Sequence, residues 1–284
     1  MIERVGVVGC GLMGSGIAEV CARAGLDVVV REVDGDAVAG GEARIRSSLE
    51  RARRRGKLSD EDAAAALANV RLTTDMGELA DRQLVLEAVS ESEALKLDVF
   101  ATLDKVVPDG AILASNTSAI PIMKLAMATG RPEHVLGLHF FSPVPVLKLV
   151  ELVSSLLTSD ETTQVVHSFA EEVLDKRVIR SKDRAGFIVN ALLIPYLVSA
   201  IRMLESGFAT AEDIDAGMVL GCNHPMGPLA LADFIGLDTT LAAARSLYEE
   251  FKEPLYAPPP MLSRMVEAGL LGRKTGRGFY VYNP

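Results

Sequence analysis

The chain has 284 residues, 49% hydrophobic and 24% charged, which fits a globular protein of two domains and excludes collagenous and disordered classes. Its 29 basic against 38 acidic residues leave a net charge of -9, which argues against a general nucleic-acid binder, because such proteins need excess cation to displace phosphate counterions. Cys10, Cys21 and Cys222 form an odd set with neither C-x-x-C nor zinc spacing, so no disulfide framework and no metal site are expected, and a reducing, cytoplasmic setting follows.

The opening "MIERVGVVGCG" carries acid and base at once, unlike a signal peptide, and no uncharged run reaches the roughly 18 residues that a membrane span requires. Residues 2–8 predict a strand, "GCGLMGSG" a turn, residues up to Ala24 a helix, and "GLDVVVRE" a second strand, the spacing of a βαβ unit. Gly9, Gly11 and Gly14 give G-x-G-x-x-G at the strand-to-helix turn. There the first glycine turns the chain, the second admits a pyrophosphate and the third lets helix and strand pack, with Leu12 and Met13 in the same cofactor-facing loop. Glu32 ends the second strand, placed to accept hydrogen bonds from ribose hydroxyls, which points to NAD; Arg31 beside it is placed to hold a 2'-phosphate, so NADP stays open.

Residues 36–69 read as two helices broken near Gly56 and restarted by Ser59, a helical insertion in the alternation. "VRLTT", "LVLEAVS", "AILASN" and "HVLGLHF" are further strands, with a helix over 93–106 among them. The expectation is an α/β, Rossmann-type domain over 1–184 with a mostly parallel sheet. From 185 onward helical periods dominate until a terminal strand pattern, "GFYVY", which predicts an all-α second domain over 185–284. Its first helix is apolar all round and needs more cover than one domain supplies, so a homodimer through 185–284 is expected.

His139 ends a predicted strand where ligands gather in open α/β sheets. The stretch from 139 to 151 is centred on Pro145, so a symmetric fold-back sets His139 against Glu151, and their even spacing keeps them on one side of an extended chain. A carboxylate in "LVELV" needs a partner, and an imidazole that accepts a proton benefits from one. The pair reads as base and orienter. His134 and His167 read as exposed, and His224 as capping a turn.

At these residues the chain resembles the L-3-hydroxyacyl-CoA dehydrogenase family, most closely its short bacterial 3-hydroxybutyryl-CoA dehydrogenase branch. "GVVGCGLMGSGIA", "ILASNTSAI", "GLHFFSPVPVLKLVE", "GFIVNALLIPY", "NHPMGPLALADFIGLD" and "GRKTGRGFYVY" follow in family order. The resemblance implies reversible oxidation of a (3S)-3-hydroxyacyl-CoA to the 3-ketoacyl-CoA. It makes His139 the general base, Glu151 its partner, Ser118 a hydroxyl touching substrate and cofactor, and Asn190 an amide from the second domain. It also assigns Glu91, Lys96 and Lys274 to the cofactor, and Ser48 and Arg55 to the coenzyme A part. Ser142 stands where the family usually has a cofactor-side Asn, and is shorter with one hydroxyl.

Between Glu42 and Lys57 seven bases face two acids, a local +5. A basic helix beside the crevice suits the phosphates of coenzyme A, and equally a solvated helix with internal Glu–Arg pairs. Two rival readings stay in view. One is a dehydrogenase of a free 3-hydroxy acid or sugar acid on the same scaffold; the other is a nucleotide-binding sensor that lost the reaction, whose sign would be a damaged His–Glu pair.

Overall fold

A computed structural model describes residues 1–282. The chain divides into two compact units, Met1–Arg184 and Ala185–Pro284. In the first, eight strands form one sheet: β1 (Arg4–Val8), β2 (Asp27–Arg31), β3 (Val70–Thr73), β4 (Leu84–Glu87), β5 (Ile112–Ser115), β6 (Val135–Phe140), β7 (Leu149–Ser154) and β8 (Arg177–Lys182). Their order across the sheet is β3-β2-β1-β4-β5-β6-β7-β8. Every neighbouring pair is parallel except β6 and β7. The mostly parallel sheet expected from the alternating pattern is therefore present. The central strands β4, β5 and β6 are buried along their whole length, which is why they read as continuous apolar runs rather than as alternation.

The helices of this unit are α1 (Leu12–Arg23), α2 (Gly35–Arg54), α3 (Asp60–Ala68), α4 (Glu93–Val106), α5 (Ile122–Ala126) and α6 (Asp160–Ser168). The insertion is α2 and α3, and both pack on α1. Asp34 starts α2 by accepting from Ala37 N at 2.8 Å, and Ser59 starts α3 by accepting from Asp62 N at 3.0 Å. The polar helix expected around His167 is α6, while two elements had no clear signal in the sequence: α5 and β8. The last is an edge strand, "RVIRSK", in which Arg177, Arg180 and Lys182 interrupt the apolar pattern and leave the open edge charged.

Glu19, in the middle of α1, is 1% exposed, and its Oε2 has no hydrogen-bond partner. Burial raises its pKa from 4.5, partly opposed by the Ser48 hydroxyl and by Arg23 and Arg51. The folded state then holds this proton more tightly than the unfolded chain, so stability falls as pH rises above 4.5 until the raised pKa is passed. Glu19→Gln removes that slope. Thermal melts should show the variant about 2–4 °C more stable at pH 8, with the difference shrinking toward pH 5.

The second unit contains α7 (Val189–Glu205), α8 (Ala211–Cys222), α9 (Pro228–Ile235), α10 (Leu237–Phe251) and α11 (Pro260–Glu267). The α7 helix buries Ile194, Leu197, Val198 and Ile201 but leaves Leu192 72% exposed. Asp215 caps α9 by accepting from Leu229 N at 2.8 Å and Ala230 N at 2.9 Å. The terminal "GFYVY" is not a strand. It makes only the isolated bridge Arg277↔Val281, because Asp233 takes the Phe279 and Tyr280 N–H groups, each at 3.0 Å, that a ladder would use.

The expectation of exposed His134 and His167 is corrected: their side chains are 33% and 23% exposed. The packing of α6 on β7 covers this region, and His134 Nδ1 lies 3.2 Å from Thr162 Oγ1. His224 does sit at a turn, directly after left-handed Asn223, with its N–H on Met218 O at 3.2 Å and Nδ1 3.1 Å from the Tyr196 hydroxyl.

Candidate active site

The glycine loop leaves β1 at Gly9, whose φ of +90° is a left-handed conformation that disfavours a side chain. A Cβ there would also lie 2.8 Å from Ala88 O, and one on Gly14 would collide with Gly9 O. At Gly11, by contrast, the space is open, with no atom within 4 Å of a Cβ position. Gly11 caps α1 with no side-chain acceptor, so the first N–H groups of the helix are available to an anion. Leu12 is 73% exposed at this rim and Met13 is half-buried. A crowded turn, an open approach and a bare helix start fit a dinucleotide pyrophosphate. Glu32 accepts hydrogen bonds from Cys10 N and, at 3.0 Å, from Val33 N, which holds its carboxylate against the loop. Burial and the Glu32 charge push the Cys10 thiol up to about 12, so this cysteine is inert rather than nucleophilic.

Across the sheet, the antiparallel pairing of β6 with β7 places His139 directly opposite Glu151. The imidazole Nδ1 lies 2.7 Å from Glu151 Oε2, and Nε2 lies 2.9 Å from Ser118 Oγ. His139 is 4% exposed and Glu151 fully buried. A carboxylate can only accept, so Nδ1 carries the proton, and Nε2 presents its lone pair toward Ser118. The Phe141 ring packs at 4.6 Å from the imidazole, tilted by 58°. Asn116 anchors the end of β6 by accepting from Phe140 N at 2.8 Å.

Ser118 sits on the turn after β5, and that turn is gripped by Glu91. One oxygen, Glu91 Oε1, accepts from Thr117 Oγ1 at 2.5 Å, Ser118 N at 2.9 Å and Ala119 N at 3.2 Å. The other, Oε2, is 3.2 Å from Lys96 Nζ. Lys96 itself is 1% exposed and lies 2.6 Å from Glu87 Oε1. Glu87 is fully buried and also accepts from Ser115 Oγ and Val89 N, both at 2.6 Å. Sequence reasoning passed over Glu87 and Asn116. A signal was present in "LVLEAVS", where an acid closes an apolar strand much as Glu151 interrupts "LVELV".

Ser48 is half-buried on α2, and Arg55 is exposed just past the helix end. Much of the basic charge of α2 is engaged within it: Arg46 pairs with Glu42 at 2.6 Å, while Arg53 and Arg54 pair with Glu50 at 3.0 and 2.9 Å. Arg44 Nε donates to Cys10 O at 3.0 Å and ties α2 to the glycine loop. Ser142 is exposed in the β6–β7 turn. In the second unit, Asn190 is half-buried in the first turn of α7, and Lys274 Nζ is bound by both Asp238 oxygens at 2.6 Å.

A crowded glycine turn before an uncapped helix start, an acid just after the second strand and a carboxylate-bonded histidine on one mostly parallel sheet are what the class of nicotinamide-dependent dehydrogenases requires. Residues 4–184 match the family described as 3-hydroxyacyl-CoA dehydrogenase, NAD binding domain, and residues 186–282 match its C-terminal domain. The chain belongs to the 3-hydroxyacyl-CoA dehydrogenase family, and its cofactor is NAD. It is 59% identical to 3-hydroxybutyryl-CoA dehydrogenase of Mycobacterium tuberculosis over 99% of each chain. The human mitochondrial hydroxyacyl-coenzyme A dehydrogenase is 40% identical over 99% of this chain and 92% of its own length. Among solved structures, (S)-3-hydroxybutyryl-CoA dehydrogenase PaaH1 of Ralstonia eutropha superposes with a TM-score of 0.95 at 47% identity, each chain fully covered.

Proposed function

We propose that this enzyme catalyses the reversible, NAD-dependent oxidation of (3S)-3-hydroxyacyl-CoA, with a short acyl chain such as 3-hydroxybutyryl, to 3-ketoacyl-CoA. The observation that carries this reading is the buried His139–Glu151 pair with Ser118 on the second imidazole nitrogen. When bound, NAD would supply the acceptor for the hydride that leaves C3. His139 Nε2 takes the proton of the C3 hydroxyl, while Glu151 keeps the imidazole in the productive tautomer and stabilises the imidazolium that forms. Ser118 Oγ, held at 2.9 Å from Nε2 by the Glu91 grip on its turn, positions the substrate oxygen between itself and the base.

Gly9, Gly11, Leu12, Met13 and Gly14 form the pyrophosphate cradle, Glu32 serves the ribose, and Glu91 and Lys96 hold the other half of the dinucleotide. Ser142 adds one hydroxyl at the rim. Ser48 and Arg55 take the coenzyme A part; they suit it because the neighbouring arginines are already paired with Glu42 and Glu50. Asn190 and Lys274 join the proposal through the family resemblance. The test is oxidation of NADH and NADPH measured side by side with acetoacetyl-CoA, longer ketoacyl-CoA substrates and a free 3-keto acid. Turnover of NADH with acetoacetyl-CoA, and little with the free acid or NADPH, is expected; preference for the free acid would overturn the coenzyme A reading.

The same proposal includes a homodimer through residues 185–284. It is supported by large apolar side chains left uncovered on that unit: Leu192, Phe208 and Leu220 are 72%, 78% and 83% exposed. Sedimentation at a monomer mass across a wide concentration range would refute it. No helix among the described residues is long and apolar enough to cross a membrane. Three unpaired cysteines support a cytoplasmic location.

A further inference from the structure

Glu87, Lys96 and Glu91 place two carboxylates on a single ammonium: Nζ is 2.6 Å from Glu87 and 3.2 Å from Glu91. The cluster has more acid than it needs. With one cation and two anions it carries one net negative charge, and its lysine is 1% exposed. Its place in the sheet is set by register. Glu87 ends β4 opposite Val8, the last residue of β1 before the glycine loop, and opposite Ser115 on the other side. Ser115 pairs in turn with Gly137, two residues before His139. Glu32 directly follows β2, on the far side of β1. A dinucleotide with its adenosine ribose at Glu32 and its pyrophosphate at the α1 start therefore extends its nicotinamide half toward this cluster.

We infer that the Glu87–Lys96–Glu91 cluster is a fixed negative charge that favours the oxidised cofactor, whose nicotinamide ring is cationic, over the reduced one, whose ring is neutral. The inference rests on the NAD-dependent reading above and adds a role for Glu87, a positioning residue that acts through Lys96. During turnover the C3–H bond breaks and its electron pair leaves with the hydride, while the hydroxyl proton passes to His139. Positive charge thereby moves from the ring end of the site to the imidazole end. Glu151 faces the second position and the cluster faces the first, so removing charge from the cluster biases the bound equilibrium toward reduced cofactor and ketone.

The experiment is titration of the dissociation constants of NAD+ and NADH, by calorimetry and NADH fluorescence without substrate, for the native enzyme and three variants. Glu87→Gln neutralises the cluster and should raise the ratio of the NAD+ to the NADH constant about five- to tenfold, the scale of one unit charge across a partly solvated crevice. Glu87→Gln combined with Lys96→Gln restores one net negative charge and should return the ratio to within about twofold of native. A structural role alone would move both constants together and would not be rescued by the second change. Glu91→Gln, at a side chain 43% exposed, removes the same charge outside the core. It should raise the ratio similarly and decides the matter if Glu87→Gln does not fold. Equal shifts of both constants in these variants overturn the inference alone. A native enzyme that binds neither dinucleotide overturns the NAD-dependent reading together with it.

Discussion

His139→Gln should lower kcat by about 10²- to 10⁴-fold, the usual contribution of a positioned general base. Glutamine keeps polar atoms near the Glu151 and Ser118 partners but has no nitrogen basic enough to accept the hydroxyl proton. The glycine loop lies between β1 and α1 and Glu32 directly after β2, away from β6, so the dissociation constant for NADH should stay nearly native. Stopped-flow reduction of acetoacetyl-CoA, with NADH fluorescence to measure binding, separates the two quantities. Native turnover in this variant would remove His139 from the chemistry.

Glu151→Gln should cost a similar 10²- to 10⁴-fold in kcat, though the residue touches no reactant. A carboxylate at 2.7 Å from Nδ1 compels that nitrogen to carry the proton. An amide can donate instead, which drives the proton onto Nε2 and fills the lone pair that the substrate hydroxyl needs. It also removes the charge that stabilises the imidazolium. Because glutamine nearly conserves volume at a fully buried position, the core should remain packed, and KM should change far less than kcat. Glu151→Asp keeps the charge at a longer reach and should recover part of the activity. The measurement is kcat and KM for acetoacetyl-CoA across the series; a native kcat in Glu151→Gln would dismiss the orienting role.

Much of the first unit was legible because its signals are local. The strand, the glycine turn and the helix of residues 4–23 lie within one short span, and Gly9 and Gly14 there meet steric demands that neighbouring atoms impose. Even the long-range pair of His139 and Glu151 could be read, because a single proline-rich turn connects their strands and an antiparallel register follows from where such a turn is centred. The edge strand β8 was missed for the converse reason. An edge needs charge for protection, and charge erases the apolar pattern by which strands are recognised.

Glu87 shows another limit. In sequence it is one acid among several in "LVLEAVSESEALK", and nothing there tells which carboxylate reaches the lysine. In the folded sheet it is the fully buried one, bonded to Lys96, Ser115 and Val89, while Glu91 reaches the same lysine with one oxygen and the Ser118 turn with the other. The terminal "GFYVY" had the composition of a strand, yet Asp233 claims its amide groups from 46 and 47 residues away.

By itself, then, the order of amino acids determined the class of fold, the glycine loop and the histidine–glutamate pair, because periodicity, glycine sterics and a short turn all act between near neighbours. Only the tertiary structure decided which charges are paired, which are buried and where their sum is left over. Those outcomes depend on distances between strands far apart in the chain, and electrostatic energy follows distance and burial rather than sequence position.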